Sequence, residues 1–136
     1  MLTQNDILTV IYLKAKESPI NDLNGDVYKK IRPTESKLED CVISLINGVS
    51  AKFLQDGGIS IKIFFNDLKD VDSNTYYEDT KKGGELEQLL FNFSEVLLEN
   101  NSGISFEVQT RELYIGRFEE EHQHYAILRM NFKISK

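Results

Sequence analysis

Hydrophobic and polar positions follow two different periods along this chain, and the switches between them divide it into helices and strands. Leu2, Ile7, Val10 and Ile11 recur at spacings near three and four, around Thr3-Gln4-Asn5-Asp6, an acidic variant of the capping box. That pattern predicts a helix running to about Lys16, stopped by Ser18-Pro19. Lys14 and Lys16 fall where cations favour the helix dipole. Turn chemistry at Asn21-Asp22-Leu23-Asn24-Gly25 precedes a short strand over 26–32, closed by Pro33. Residues 38–47 form a near-continuous apolar run, the pattern of a strand covered on both faces and hence a central one.

Alternation continues at Val49, Ala51 and Phe53, so the second strand either stops near Asn47 or extends to Phe53. Gln55-Asp56-Gly57-Gly58 then reads as the turn of a hairpin. Ile59, Ile61, Ile63 and Phe65 alternate with Ser60, Lys62, Phe64 and Asn66, the cleanest strand signal in the chain. Residues 66–84 lack a period and predict a long acidic loop carrying Asp67, Asp70, Asp72, Glu78 and Asp79 around Tyr76-Tyr77. Such loops are functional or disordered more often than ornamental. Over 85–100 the period returns to 3.6, with Leu86, Leu89, Leu90, Phe93, Val96 and Leu97 on one stripe. Ile104, Phe106 and Val108 are out of phase with Leu113 and Ile115, which calls for a bulge near 110–112. Residues 117–121 turn the chain, and Ala126, Leu128, Met130, Phe132 and Ile134 mark a last long strand. The order α-β-β-β-α-β-β predicts an α+β fold: a mostly antiparallel sheet with two helices packed on it.

Length and composition fit that reading: 136 residues make one domain, and 40% hydrophobic residues suffice for a core without staples. The lone Cys41 sits in an apolar run and reads as a small buried hydrophobe. No basic n-region opens the chain and no segment is long and apolar enough to span a bilayer, so a cytoplasmic protein without a membrane partner is expected. A net charge of -6 disfavours binding nucleic acid through a broad basic face. In Lys29-Lys30-Ile31-Arg32, strand alternation sends Lys29 and Lys30 to opposite faces.

Candidate chemistry is sparse. His122 and His124 would share a face of a strand, and an H-x-H pair can ligate one metal, but two unsupported histidines leave a tetrahedral site incomplete. The carboxylates sit in a loop and a turn rather than at fixed separation, and no nucleophile elbow, P-loop or dinucleotide fingerprint is present. No catalytic residue, cofactor or metal is therefore expected. Tyr76-Tyr77 has two readings: an anchor for a partner, or two aromatics folded back onto their own domain.

The stretch Gly25-Asp26-Val27-Tyr28-Lys29-Lys30-Ile31-Arg32-Pro33, followed by Glu39-Asp40-Cys41-Val42-Ile43, resembles the tail-completion, or tail-terminator, proteins of long-tailed phages. The order of later elements agrees, through Phe106-Glu107-Val108 to a terminal strand opening at Glu121-His122. The resemblance implies a non-enzymatic subunit that assembles into a homo-oligomeric ring, ends growth of the tail tube and joins tail to head. It implies the tail tube and head-connector proteins as partners, no sequence-specific nucleic acid, and a place in the host cytoplasm and the virion tail. The hairpin, with Phe53 and Asp56, and the loop, with Tyr76 and Tyr77, become candidate contacts. Two other classes stand beside it: a protein- or ligand-binding module using the long loop, and a metal-dependent enzyme built on His122 and His124.

Overall fold

Thr3 does cap the first helix. In the computed structural model, which describes residues 3–47, 55–98 and 105–135, its hydroxyl accepts from the Asp6 N–H at 3.1 Å. Its own N–H donates to Asp6 Oδ2 at 2.8 Å. Helix α1 (Gln4–Lys16) buries Ile7, Leu8, Ile11 and Ala15. A 3₁₀ turn (Pro19–Asp22), started by Ser18, leads to strand β1 (Val27–Lys29). Strands β2 (Cys41–Asn47), β3 (Gln55–Asn66), β6 (Ser105–Phe118) and β7 (Gln123–Ser135) complete a five-stranded sheet in the order β1-β2-β3-β7-β6. Among the described residues, only the β1–β2 pair is parallel. The fold is α+β, with the expected order of main elements.

Both helices lie on one face. Helix α2 (Thr80–Leu98) presents Leu86, Leu90, Phe93 and Leu97, and these close over one core with α1. From the sheet the core takes Cys41 and Ile43, then Ile59, Ile61, Ile63 and Phe65, then Ala126, Leu128, Met130 and Phe132. The strict alternation of β3 and β7 follows, because each residue of one pairs in register with a same-face residue of the other. Burial drives the Cys41 thiol up to about 12, which keeps it protonated as the sequence reading of a small hydrophobe requires.

Several elements differ from the sequence expectation. The apolar run of β2 does form an interior strand, between β1 and β3, but its second face is only part covered: Val42 and Ser44 are half-buried and Ile46 is exposed. Gln55-Asp56-Gly57-Gly58 is not a turn but the start of β3, paired from Ile134 to Asn131 of β7. Ladder bonds along a neighbouring strand outweigh the local turn preference of two glycines. The strand expected over 26–32 ends at Lys29, because Lys30 adopts φ 70° and turns the chain away. The expected loop 66–84 divides: β4 (Leu68–Asp70) and β5 (Thr75–Tyr77) pair as a hairpin, and its last residues are the first turn of α2. The register shift in β6 falls between Val108 and Thr110, just ahead of the place the phase change indicated. β6 then continues to Phe118, so the turn is confined to a 3₁₀ segment (Glu119–Glu121) and His122.

Candidate functional site

With both helices on one side, the other face of the sheet is left to short loops and to solvent. Its strand residues include Val42 and Ser44 of β2, Lys62 and Phe64 of β3, Tyr125 of β7, and Tyr114 and Phe118 of β6. The segment 30–36 folds over the end of this face and makes a groove of about 400 Å³. Phe64 and Phe118 form its aromatic floor, meeting edge to face with ring centres 5.7 Å apart. Lys62 lies 4.7 Å from the ring centre of Tyr125. Lys30, Glu35 and Glu120 stand at the rim, so its cations and carboxylates offset one another.

A buried polar network holds the groove wall in place. Asp40 is fully buried, and its Oδ2 accepts from Arg32 Nε at 2.9 Å and from Ser36 Oγ at 2.5 Å. Its Oδ1 accepts from the Asp26 N–H at 3.3 Å. The guanidinium also donates to Gln123 Oε1 and to the carbonyls of Ser36 and Leu38, and it sits over Phe64 with its carbon 4.0 Å from the ring centre. Buried Gln123 donates onward to Asn66 Oδ1, and Asn66 to the Lys37 carbonyl. Each polar atom of the set has a partner, which is what makes a buried network stabilising rather than costly. Gly25 lies directly against the backbone of Glu39 and Asp40, where a Cβ would collide. The stretch quoted for its family resemblance is therefore largely the part of the chain that builds this wall.

Beside the groove, the β4–β5 hairpin is fastened to the sheet. Tyr76 stacks on His122, with ring centres 3.8 Å apart and planes 13° off parallel. The Asp67 N–H donates to the His122 carbonyl, and His124 Nδ1 lies 2.5 Å from Asp67 Oδ1. Tyr76 stacks on a ring of its own domain yet stays 41% exposed, and Tyr77 is 52% exposed, so both remain open to a partner. His122 and His124 do not share a strand face: His122 sits in the turn at φ 51°, and only His124 belongs to β7. Among the described residues, no group of three or more His, Cys, Asp or Glu side chains is placed to hold a metal ion. The carboxylates near His124 approach its two ring nitrogens separately rather than converging on one point.

Of the remaining sequence candidates, Phe53 lies outside the described residues, and Asp56 falls within β3, in register with Lys133. Arg32, Asp40 and Gln123 were missed because a buried ion pair leaves no periodic signature; Asp40 stood next to an apolar run and resembled a boundary. No helix among the described residues is long and apolar enough to cross a membrane. Comparison with protein-family models finds no match, and comparison with curated proteins finds none either.

Proposed function

We propose that this chain is a structural assembly subunit of the tail-completion type, which closes into a homo-oligomeric ring and joins a phage tail tube to its head connector without catalysis. The observation that supports it best is β6. It is fourteen residues long and is bonded in the sheet only to β7, so its outer edge is an unpaired ladder among the described residues. Long edges are the usual route by which one sheet adds a strand from another chain. The side chains along it, Glu107, Arg111, Glu112 and Tyr114, mix charge with an aromatic ring, which suits a specific contact better than indiscriminate aggregation. A second copy offering a different surface to this edge gives a head-to-tail contact, the kind that closes into rings. The resemblance at 25–33 and 39–43 names the class of ring; the work would be done in the host cytoplasm and in the virion tail.

Light scattering coupled to size exclusion tests this directly. The chain should form a closed oligomer at micromolar concentration, alone or with tail-tube protein, and Tyr114→Lys should return it to monomer. Because Tyr114 is part exposed, that substitution should cost about 1 kcal/mol or less of fold stability. A chain that remains monomeric under both conditions sinks the proposal. A second reading, a binding module for a small or extended ligand, draws on the 400 Å³ groove over Phe64 and Phe118. Loss of a partner on Phe118→Ala, with the oligomer unchanged, would favour it.

A further inference from the structure

The groove over Phe64 and Phe118 sorts its charges by sign along the strands. Lys62 is in register with Val42 on one side and Ile127 on the other, and the Lys30 N–H donates to the Ile43 carbonyl, so both lysines stand at one end. Further along β3, the Phe64 N–H donates to the Asp40 carbonyl in the middle of the groove. Asn66 comes next, in register with Gln123 and through it with Phe118, and Glu120 lies just beyond, in the turn after β6. Glu35 also sits past the lysine end, next to Ser36, whose hydroxyl is tied to Asp40. Cations therefore hold one end and carboxylates the other, with two aromatic rings between them. Among the described residues, none of these four charges enters an ion pair, whereas the neighbouring Arg32 and Lys37 are paired with Asp40 and Glu121. Lys30 and Glu35 also have left-handed backbones, at φ 70° and 62°, a conformation that non-glycine residues keep where their surroundings impose it and that gathers at binding sites. Arg32 and Ser36, both bonded to Asp40, fix the segment that carries them.

We propose that this groove binds an extended peptide segment of a partner protein, with an acidic side chain at the lysine end, a basic side chain at the carboxylate end and apolar residues between. Length selects this ligand class. At about 3.3 Å per residue, the row of Lys62 lies about 13 Å from the row of Asn66 and Phe118. A free amino acid or similar zwitterion carries its two charges too close together to span that length. An extended chain of about four to six residues spans it, at the same rise per residue. Nucleic acid, anionic along its whole length, would meet Glu35 and Glu120 with like charge. Phe64 is buried with Arg32 over its ring, so the half-buried Phe118 and the wall residue Ile31, 79% exposed, offer the ligand its apolar contact. A volume of about 400 Å³ suits a few side chains of such a segment. This ligand class rests on the reading of the chain as a binding module and is independent of ring formation.

Saturation-transfer NMR on the whole chain tests it, with three pentapeptides capped at both termini as probes. All three have leucine, phenylalanine and leucine in the middle. The first carries aspartate at one end and lysine at the other, the second aspartate at both, and the third lysine at both. At about 0.15 M salt, which confines the -6 net charge of the chain to short range, the first should bind about threefold to tenfold more tightly than either of the others, because each of those sets one end against a like charge. Lys30→Glu should erase its advantage over the third peptide, and Glu120→Lys its advantage over the second. Both positions are exposed, so neither variant disturbs the core. Phe118→Ala should weaken all three peptides by about fivefold or more. Equal binding of the three, with Phe118→Ala still weakening them, leaves a groove that binds but overturns its charge-sorted ligand. An advantage of the first peptide that survives both Lys30→Glu and Glu120→Lys overturns it as well. Absence of transfer to all three peptides overturns the ligand class and the binding-module reading together.

Discussion

Removing the Arg32 guanidinium strips Asp40 of its cation while leaving the carboxylate fully buried. In Arg32→Ala, Asp40 keeps the Ser36 hydroxyl and the Asp26 N–H but loses the 2.9 Å bond from Nε. Gln123 Oε1, the Ser36 and Leu38 carbonyls and the face of Phe64 lose their partner in the same step. An uncompensated buried charge of this kind costs about 3–5 kcal/mol. That is a large part of the 5–15 kcal/mol typical of a domain, so the variant should fold but with a urea midpoint lower by roughly 2 M at an ordinary m-value. Asp40→Ala strands the guanidinium instead and should cost a similar amount. The double variant then removes both charges together, and its loss should fall short of the sum of the single losses by about 2 kcal/mol or more. Urea titrations of the four proteins supply the whole cycle. Single losses below about 1 kcal/mol, or a double loss that simply adds, would refute the claim that this pair anchors the groove wall.

Gly25→Ala would drive a methyl group into the backbone of Glu39 and Asp40, so it should destabilise the fold by about 2 kcal/mol or more and lower the midpoint in the same titration. The Cys41 thiol should be silent to a thiol-reactive chromophore at pH 8 and react at the rate of unfolding, as burial holds it protonated up to about 12. Because its folded value lies above its unfolded one, Cys41 should erode stability as pH rises from about 9 toward 12, and Cys41→Ala should lack that component of the alkaline decline. Asp26, held below its usual value by the Lys16 ammonium and by the Val27 N–H, has the opposite sign. Its contribution is present at neutral pH and lost as pH falls through its lowered folded value, so Asp26→Asn should flatten the acid side of the stability curve.

The elements legible in the sequence are those that burial repeats at a fixed interval. Thr3 and Asp6 announced α1, Leu86 to Leu97 announced α2, and the alternations at 59–65 and 126–134 announced the two strands that pair most extensively. Legibility failed where a neighbour overruled a local preference. Gly57 and Gly58 look like a turn until β7 is laid beside them. The hairpin at 68–77 escaped notice because its exposed side chains need no alternation, and its anchor is two histidines far away in the chain. The site fared worst. Arg32, Asp40 and Gln123 lie 8 and 91 residues apart along the chain and meet only once the sheet is formed. Tyr76 could be read either way from its surroundings, and its surface stack on His122, a residue 46 positions away, leaves no trace in the local pattern.

The place of β3 also bears on how the chain is made. One side of β3 pairs with β2, but the other waits for β7, the last described strand, with residues 67–122 synthesised in between. A nascent chain emerging from the ribosome therefore carries a bare, apolar ladder, Ile59 to Phe65, with no neighbour on that side until β7 has cleared the exit tunnel. The sheet closes as a late step, over a long sequence separation, in the slow regime set by non-local pairing. During synthesis this ladder is the part of the chain most in need of a chaperone, and a premature stop before β7 would yield an aggregating fragment rather than a smaller working domain.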